Sequence, residues 1–196
     1  MRILGIDPGT IVCGYGVIDI ENRKMKLVEY GVVEAKKQYA ELPRRLEVIY
    51  LRLTGVIERT LPDETALEAV FFAKNAQSLA KLSHARGVAM LAATLKEIPV
   101  TEYSAKEVKR SVTGNGNAAK EQVGYMVRKM LGIEETPDFF DATDALAIAV
   151  CHALKRNENK SKAKSWKKFL FPRENEAIVS YQQQIYSLVQ LYIYLN

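Results

Sequence analysis

The chain has 196 residues, 48% of them hydrophobic and 26% charged, with a net charge of +5, enough apolar material for one globular domain of about 150 residues and an extension. Its two cysteines, Cys13 and Cys151, give neither a disulfide framework nor a metal-binding pair, so a reducing cytoplasm is expected rather than a secreted context. The first apolar run stops at Asp7 and Pro8 and no stretch is long enough to cross a bilayer, so neither a signal peptide nor a membrane partner is expected.

Ile3, Leu4, Gly5 and Ile6 read as a buried strand, bounded by Pro8 and Gly9, that delivers Asp7 to its open end. Glycines beside a carboxylate on rigid backbone let a phosphate or metal approach closely, although an Asp-x-Gly pattern also suits a plain β-turn. Residues 13–18 predict a return strand and residues 26–35 a third, with Asn22 in the turn between them. Pro43 opens a helix in which Leu46, Ile49, Tyr50, Leu53, Val56 and Ile57 recur at helical spacing. Residues 65–72 read as a buried fourth strand with Glu68 in its middle, where an ionised carboxylate is costly unless it is salt-bridged or bound to a metal.

Asn75 suits the N-cap of a helix over 75–96, whose alanines and Gly87 allow close packing. A short strand over 100–103 follows, and Ser104 with Glu107 matches a capping box before a helix carrying Lys106, Lys109 and Arg110. The run 114–117 (GNGN) breaks that helix, Asn117 is expected to cap the next, and residues 118–131 form it with Lys120, Arg128 and Lys129. A loop with Pro137 leads to Asp141 and Asp144, expected on the first turn of a helix whose apolar body is 145–154.

Charge is unevenly placed. Residues 70–132 hold ten basic residues against four acids, whereas residues 133–154 hold five acids and no Lys or Arg. An acidic pocket beside a basic surface is what a metal-dependent enzyme acting on a polyanion needs, though an uneven surface is the plainer reading. Asp141 and Asp144 leave the same helical face, where acids also simply complement a helix dipole. The combination is more telling, because Asp7, Glu68, Asp141 and Asp144 all come from apolar segments and would repel one another in a shared core without cations. Oxygen ligands with no His or Cys point to Mg²⁺ or Mn²⁺. Two such ions about 3.5–4 Å apart suit phosphodiester hydrolysis.

On the segments GIDPGT with the following GYG, LEAVFFAKNAQSLAKLSHARGVA, EYSAKEVKRSVTGNGNAAKEQV and DATDALAIAVCH, the sequence resembles the RuvC family of Holliday-junction resolvases over roughly residues 1–155. The resemblance implies an α/β, ribonuclease H-like fold with a mixed five-stranded sheet flanked by helices, followed here by a C-terminal extension. It implies a metal-dependent endonuclease that forms a homodimer, binds a four-way DNA junction and nicks two strands symmetrically. Its Mg²⁺, expected as two ions per site, would be held by Asp7, Glu68, Asp141 and Asp144. It also implies that Phe71 stacks on DNA, that Lys74, Lys109 and Lys120 contact it, and that the RuvA–RuvB branch-migration complex is a partner.

Two other functions fit parts of the pattern. Sugar kinases and Hsp70-like ATPases share a strand-Asp-x-Gly-Thr phosphate turn, but they need a second domain for which this chain is too short. A non-cleaving junction or nucleic-acid-binding protein on the same fold would retain the basic surface. The expected organisation is a resolvase domain over 1–155, a basic linker over 156–172 and a heptad-like segment over 173–196. The basic stretch is compatible with disorder or with DNA binding, and the last segment with docking, pairing, a strand or no partner.

Overall fold

A computed structural model of the chain describes residues 1–22, 24–69, 76–134 and 140–170, the stretch 157–170 as helix backbone. Phe71, Lys74, Asn75, the Pro137 loop and the segment 173–196 lie outside the described residues. The sheet is built from β1 (Arg2–Asp7), β2 (Cys13–Glu21), β3 (Lys24–Val33), β4 (Glu64–Glu68) and β5 (Val100–Tyr103) in the order β3-β2-β1-β4-β5. The first three strands form an antiparallel meander turned at Asn22, which adopts the left-handed φ of 50°. β4 joins β1 in parallel and β5 joins β4 in parallel, giving the mixed five-stranded sheet that the sequence led us to expect.

The helices are α1 (Ala35–Gln38), α2 (Leu42–Thr60), α3 (Ala76–Thr94), α4 (Ala105–Thr113), α5 (Lys120–Leu131) and α6 (Phe140–Leu170). Alternation along the strands divides the core between the two faces of the sheet. Leu4, Ile6, Val17 and Leu67 pack with Ile49, Leu53 and Val56 of α2 and Ala85 and Ala89 of α3. Ile3, Ile18 and Ala66 pack on the opposite side with Val108 and Val112 of α4, Val123 and Val127 of α5, and Leu146 and Ala149 of α6.

Helix α6 lies against the sheet at backbone contact. A Cβ on Gly5 would come within 2.2 Å of the Ala145 carbonyl oxygen, and one on Gly14 within 2.1 Å of the Asp141 carbonyl oxygen. Further along, buried His152 bridges the sheet and helix. Its Nδ1 is 2.8 Å from the Tyr103 hydroxyl and its Nε2 is 2.6 Å from Glu64, which also accepts from Arg156 Nε at 2.8 Å.

Three sequence expectations need correcting. β4 is Glu64–Glu68; Ala69 lies past the strand, although its N–H still donates to Tyr103 O at 2.8 Å, and the rest of the expected strand, residues 70–72, lies outside the described residues. Glu68 is therefore a strand-end residue and not a mid-strand one. Asn117 does not cap α5: its backbone N–H donates to Asn115 Oδ1 at 3.0 Å within the preceding turn. The N-cap is Ala119, whose N–H is satisfied by Gln122 Oε1 at 3.0 Å. The last helix begins at Phe140, and its backbone continues through Leu170 into the basic stretch. The capping box at Ser104 is present as expected, with Ser104 Oγ accepting from Glu107 N.

The compact unit formed by residues 1–156 carries all the side chains considered below. No helix among the described residues is long and apolar enough to cross a membrane.

Candidate active site

Parallel pairing of β1 with β4 aligns Gly5 with Ala66 and Ile6 with Leu67, so the residues at the two strand ends, Asp7 and Glu68, are neighbours on the α6 side of the sheet. Glu68 hydrogen-bonds Asp7. The first turns of α6 bring Asp144 to the same place, and the close approach at Gly5 and Gly14 sets how near it comes. These three acids line a cavity of about 260 Å³ with Lys109 of α4 and Lys120 of α5, floored by Ala105, Val108, Val123, Ala147 and Ile148. Five separate elements of the chain, β1, β4, α4, α5 and α6, thus converge on one hollow.

Asp141 is half-buried and does not line that cavity, but it is close enough to repel Asp7. Its backbone packs directly on Gly14. Lys120 Nζ donates to Asp144 Oδ2 at 2.7 Å. The described residues hold no group of three His, Cys, Asp or Glu side chains already drawn together as a metal cage, and the lysine ammonium is the cation that Asp144 binds instead.

Electrostatics of the site follow from crowding acids in a half-dry cavity. Burial first, then repulsion from Glu68, Asp144 and Asp141, pushes Asp7 up to about 7 against the opposing effect of Lys120. Burial and Asp144 also raise Glu68, partly offset by the Asp7 hydrogen bond and by Lys120 and Lys109. Both carboxyls are thus held above their ordinary range by burial and by one another. The hydrogen bond of Glu68 runs to another acid rather than to a basic residue, which disfavours a structural salt bridge there. The hydrogen bond to Asp144 raises Lys120, keeping it an ammonium. Burial pushes the thiol of nearby Cys13 up to about 12, so it is not a nucleophile in this site.

Sequence reasoning overlooked Phe140. It is 70% exposed and opens α6 immediately before Asp141. The signal was available in its spacing of four residues from Asp144, but a helix read as starting at Asp141 leaves it in the loop.

A mixed sheet in this order, with acids at the ends of β1 and β4 and on the crossing helix, defines the ribonuclease H-like class. The family model described as "Crossover junction endodeoxyribonuclease RuvC" matches residues 3–152. The chain is 46% identical over 168 residues to the crossover junction endodeoxyribonuclease RuvC of Cytophaga hutchinsonii, covering 86% of this chain and 84% of that protein. Among solved structures it is similar to Thermus thermophilus RuvC in complex with Holliday junction substrate, with a TM-score of 0.76, 35% identity, and coverage of 81% of this chain and 96% of that one. The yeast mitochondrial Holliday junction resolvase Ydc2 shares the fold, with a TM-score of 0.63 at 14% identity, covering 85% of each chain. The chain belongs to the RuvC family of crossover junction endodeoxyribonucleases.

Proposed function

We propose that this chain resolves Holliday junctions in DNA recombination and repair, hydrolysing one phosphodiester in each of two symmetry-related strands. The observation that carries the reading is the convergence of Asp7, Glu68 and Asp144 with Lys109 and Lys120 in one cavity. Carboxylates alone would repel a phosphodiester and lysines alone would only bind it; hydrolysis needs both within reach of one phosphate.

The donor set suits Mg²⁺, with Mn²⁺ as a substitute: all the acids offer hard oxygen atoms, and the raised Asp7 and Glu68 mark a site short of positive charge. Asp7, Glu68, Asp141 and Asp144 would hold the metal. As a pair of ions it would activate the attacking water and stabilise the leaving 3′ oxygen. The chain's own residues do the rest. Asp7 and Glu68, whose burial favours their protonated forms, would hold the metal as carboxylates, so its binding would oppose the upward shift of both. Lys120 leaves Asp144 and, with Lys109, holds the phosphate. The apolar floor formed by Val108, Val123 and Ile148 limits bulk water beneath the site. Phe71 and Lys74, which lie outside the described residues, are further DNA contacts in this reading.

A four-way junction has two-fold symmetry, so a homodimer would place one site at each related phosphate. Helix α3 is the interface in this proposal. Leu91 is exposed on it and Leu95 just past its last residue, and a Cβ at Gly87 would meet nothing within 4 Å, leaving room for a second backbone. The RuvA–RuvB complex is the proposed partner and the cytoplasm the proposed compartment. A synthetic four-way junction incubated with the purified protein in Mg²⁺ should yield paired nicks, with none in EDTA and none from Asp7→Asn, which should still bind. Binding without cutting in Mg²⁺ would instead favour the non-cleaving reading.

A further inference from the structure

Helical geometry puts Phe140 on the stripe of α6 that carries Asp144, because side chains four residues apart share a face and lie about 6 Å apart along the axis. Deeper along that stripe, Asp144, Ala147 and Ile148 line the cavity, and Cys151 is fully buried. Phe140 lies one turn before Asp144 on that stripe and is 70% exposed. One exposed apolar side chain is ordinary. An exposed aromatic one helical turn from an acid that lines a cavity with two lysines is not a generic surface position.

We propose that Phe140, one turn before Asp144 on α6, is a platform for an unstacked nucleobase of the DNA substrate, near the phosphate held by Lys109 and Lys120. This rests on the nuclease reading of the same cavity. The lysines bind only the backbone, so a base next to that phosphate still needs a partner of its own. An exposed aromatic face takes any base that has left its stack, whatever its identity. Phe140 would therefore contribute to affinity for distorted DNA, not to the salt-dependent attraction that phosphate contacts produce.

The test uses a four-way junction carrying 2-aminopurine beside the crossover, titrated with the full chain in EDTA so that no cutting intervenes. Phe140→Ala should weaken junction binding about tenfold, the size of one lost base–aromatic stack. It should also remove the fluorescence change seen with the wild type and leave the slope of log K against log salt unaltered. Phe140→Trp should restore both affinity and signal, which a mere folding defect in the alanine variant would not predict. Wild-type binding and signal in Phe140→Ala would overturn the platform while leaving the nuclease reading intact. Failure of the wild-type chain to bind the junction would overturn both.

Discussion

Gly5→Ala tests whether the distance between β1 and α6 sets the site. The added Cβ would stand 2.2 Å from the Ala145 carbonyl oxygen, 2.8 Å from Ala149 N and 2.9 Å from Ala149 Cβ, whereas ordinary contact begins at 3.4 Å. Nothing in that list is a flexible side chain, so α6 must retreat by about 1.2 Å, the difference between 3.4 and 2.2 Å. Overpacking of this kind costs about 1–3 kcal/mol, and with backbone opposing it the upper end applies. For a chain of this size, about 3 kcal/mol corresponds to a Tm lower by roughly 6–12 °C. Asp144 precedes Ala145 and retreats with it, and a misplacement of about 1 Å in a catalytic constellation costs on the order of 10²-fold in rate. Circular-dichroism melts in EDTA and junction cleavage per folded molecule give the two numbers. A variant that melts within about 1 °C of wild type and cuts at the wild-type rate would refute the view that this glycine sets the acid geometry.

The remaining predictions concern charge and assembly. Because Asp7 is raised in the folded state from 3.8 to about 7, the native protein binds more protons than the unfolded chain between those values, so metal-free stability should fall as pH rises from about 4 to 7. Urea titrations should show that fall, up to about 4 kcal/mol for the full shift, and Asp7→Asn should flatten it; an equally steep fall in the variant would assign it elsewhere. Lys120→Met frees Asp144 and should tighten Mn²⁺ binding to the DNA-free protein while lowering the salt slope of junction binding by about one. Weaker Mn²⁺ binding, measured by electron paramagnetic resonance, would mean that the lysine does not compete for the acid. Leu91→Glu places a charge on the exposed face of α3 and should convert a dimer to a monomer in sedimentation velocity; an unchanged dimer would move the interface off this helix.

Periodicity and turn chemistry by themselves determined most of the frame. The hydrophobic run ending at Asp7, the left-handed turn at Asn22, the Ser104 capping box and the core stripe of α2 all depend on nearby residues, and local sequence reports local preferences. The four acids stood out for the same kind of reason, as charges inside segments that otherwise read as core. Local signals misplaced the ends of elements. The apolar character of the sequence continues past Glu68, but Ala69 is already outside the strand, because a ladder lasts only as long as its partners. Asn117 resembles a cap, yet the helix opens two residues later, where Ala119 O accepts from Val123 N.

Only the tertiary structure decided which acids share the cavity, that Lys120 is engaged with Asp144, and that burial and mutual repulsion raise Asp7 and Glu68. Those facts depend on distances between segments remote in sequence, set by two glycines that let α6 touch the sheet. No single segment encodes such a distance, because it arises from the packing of backbone against backbone across the whole core.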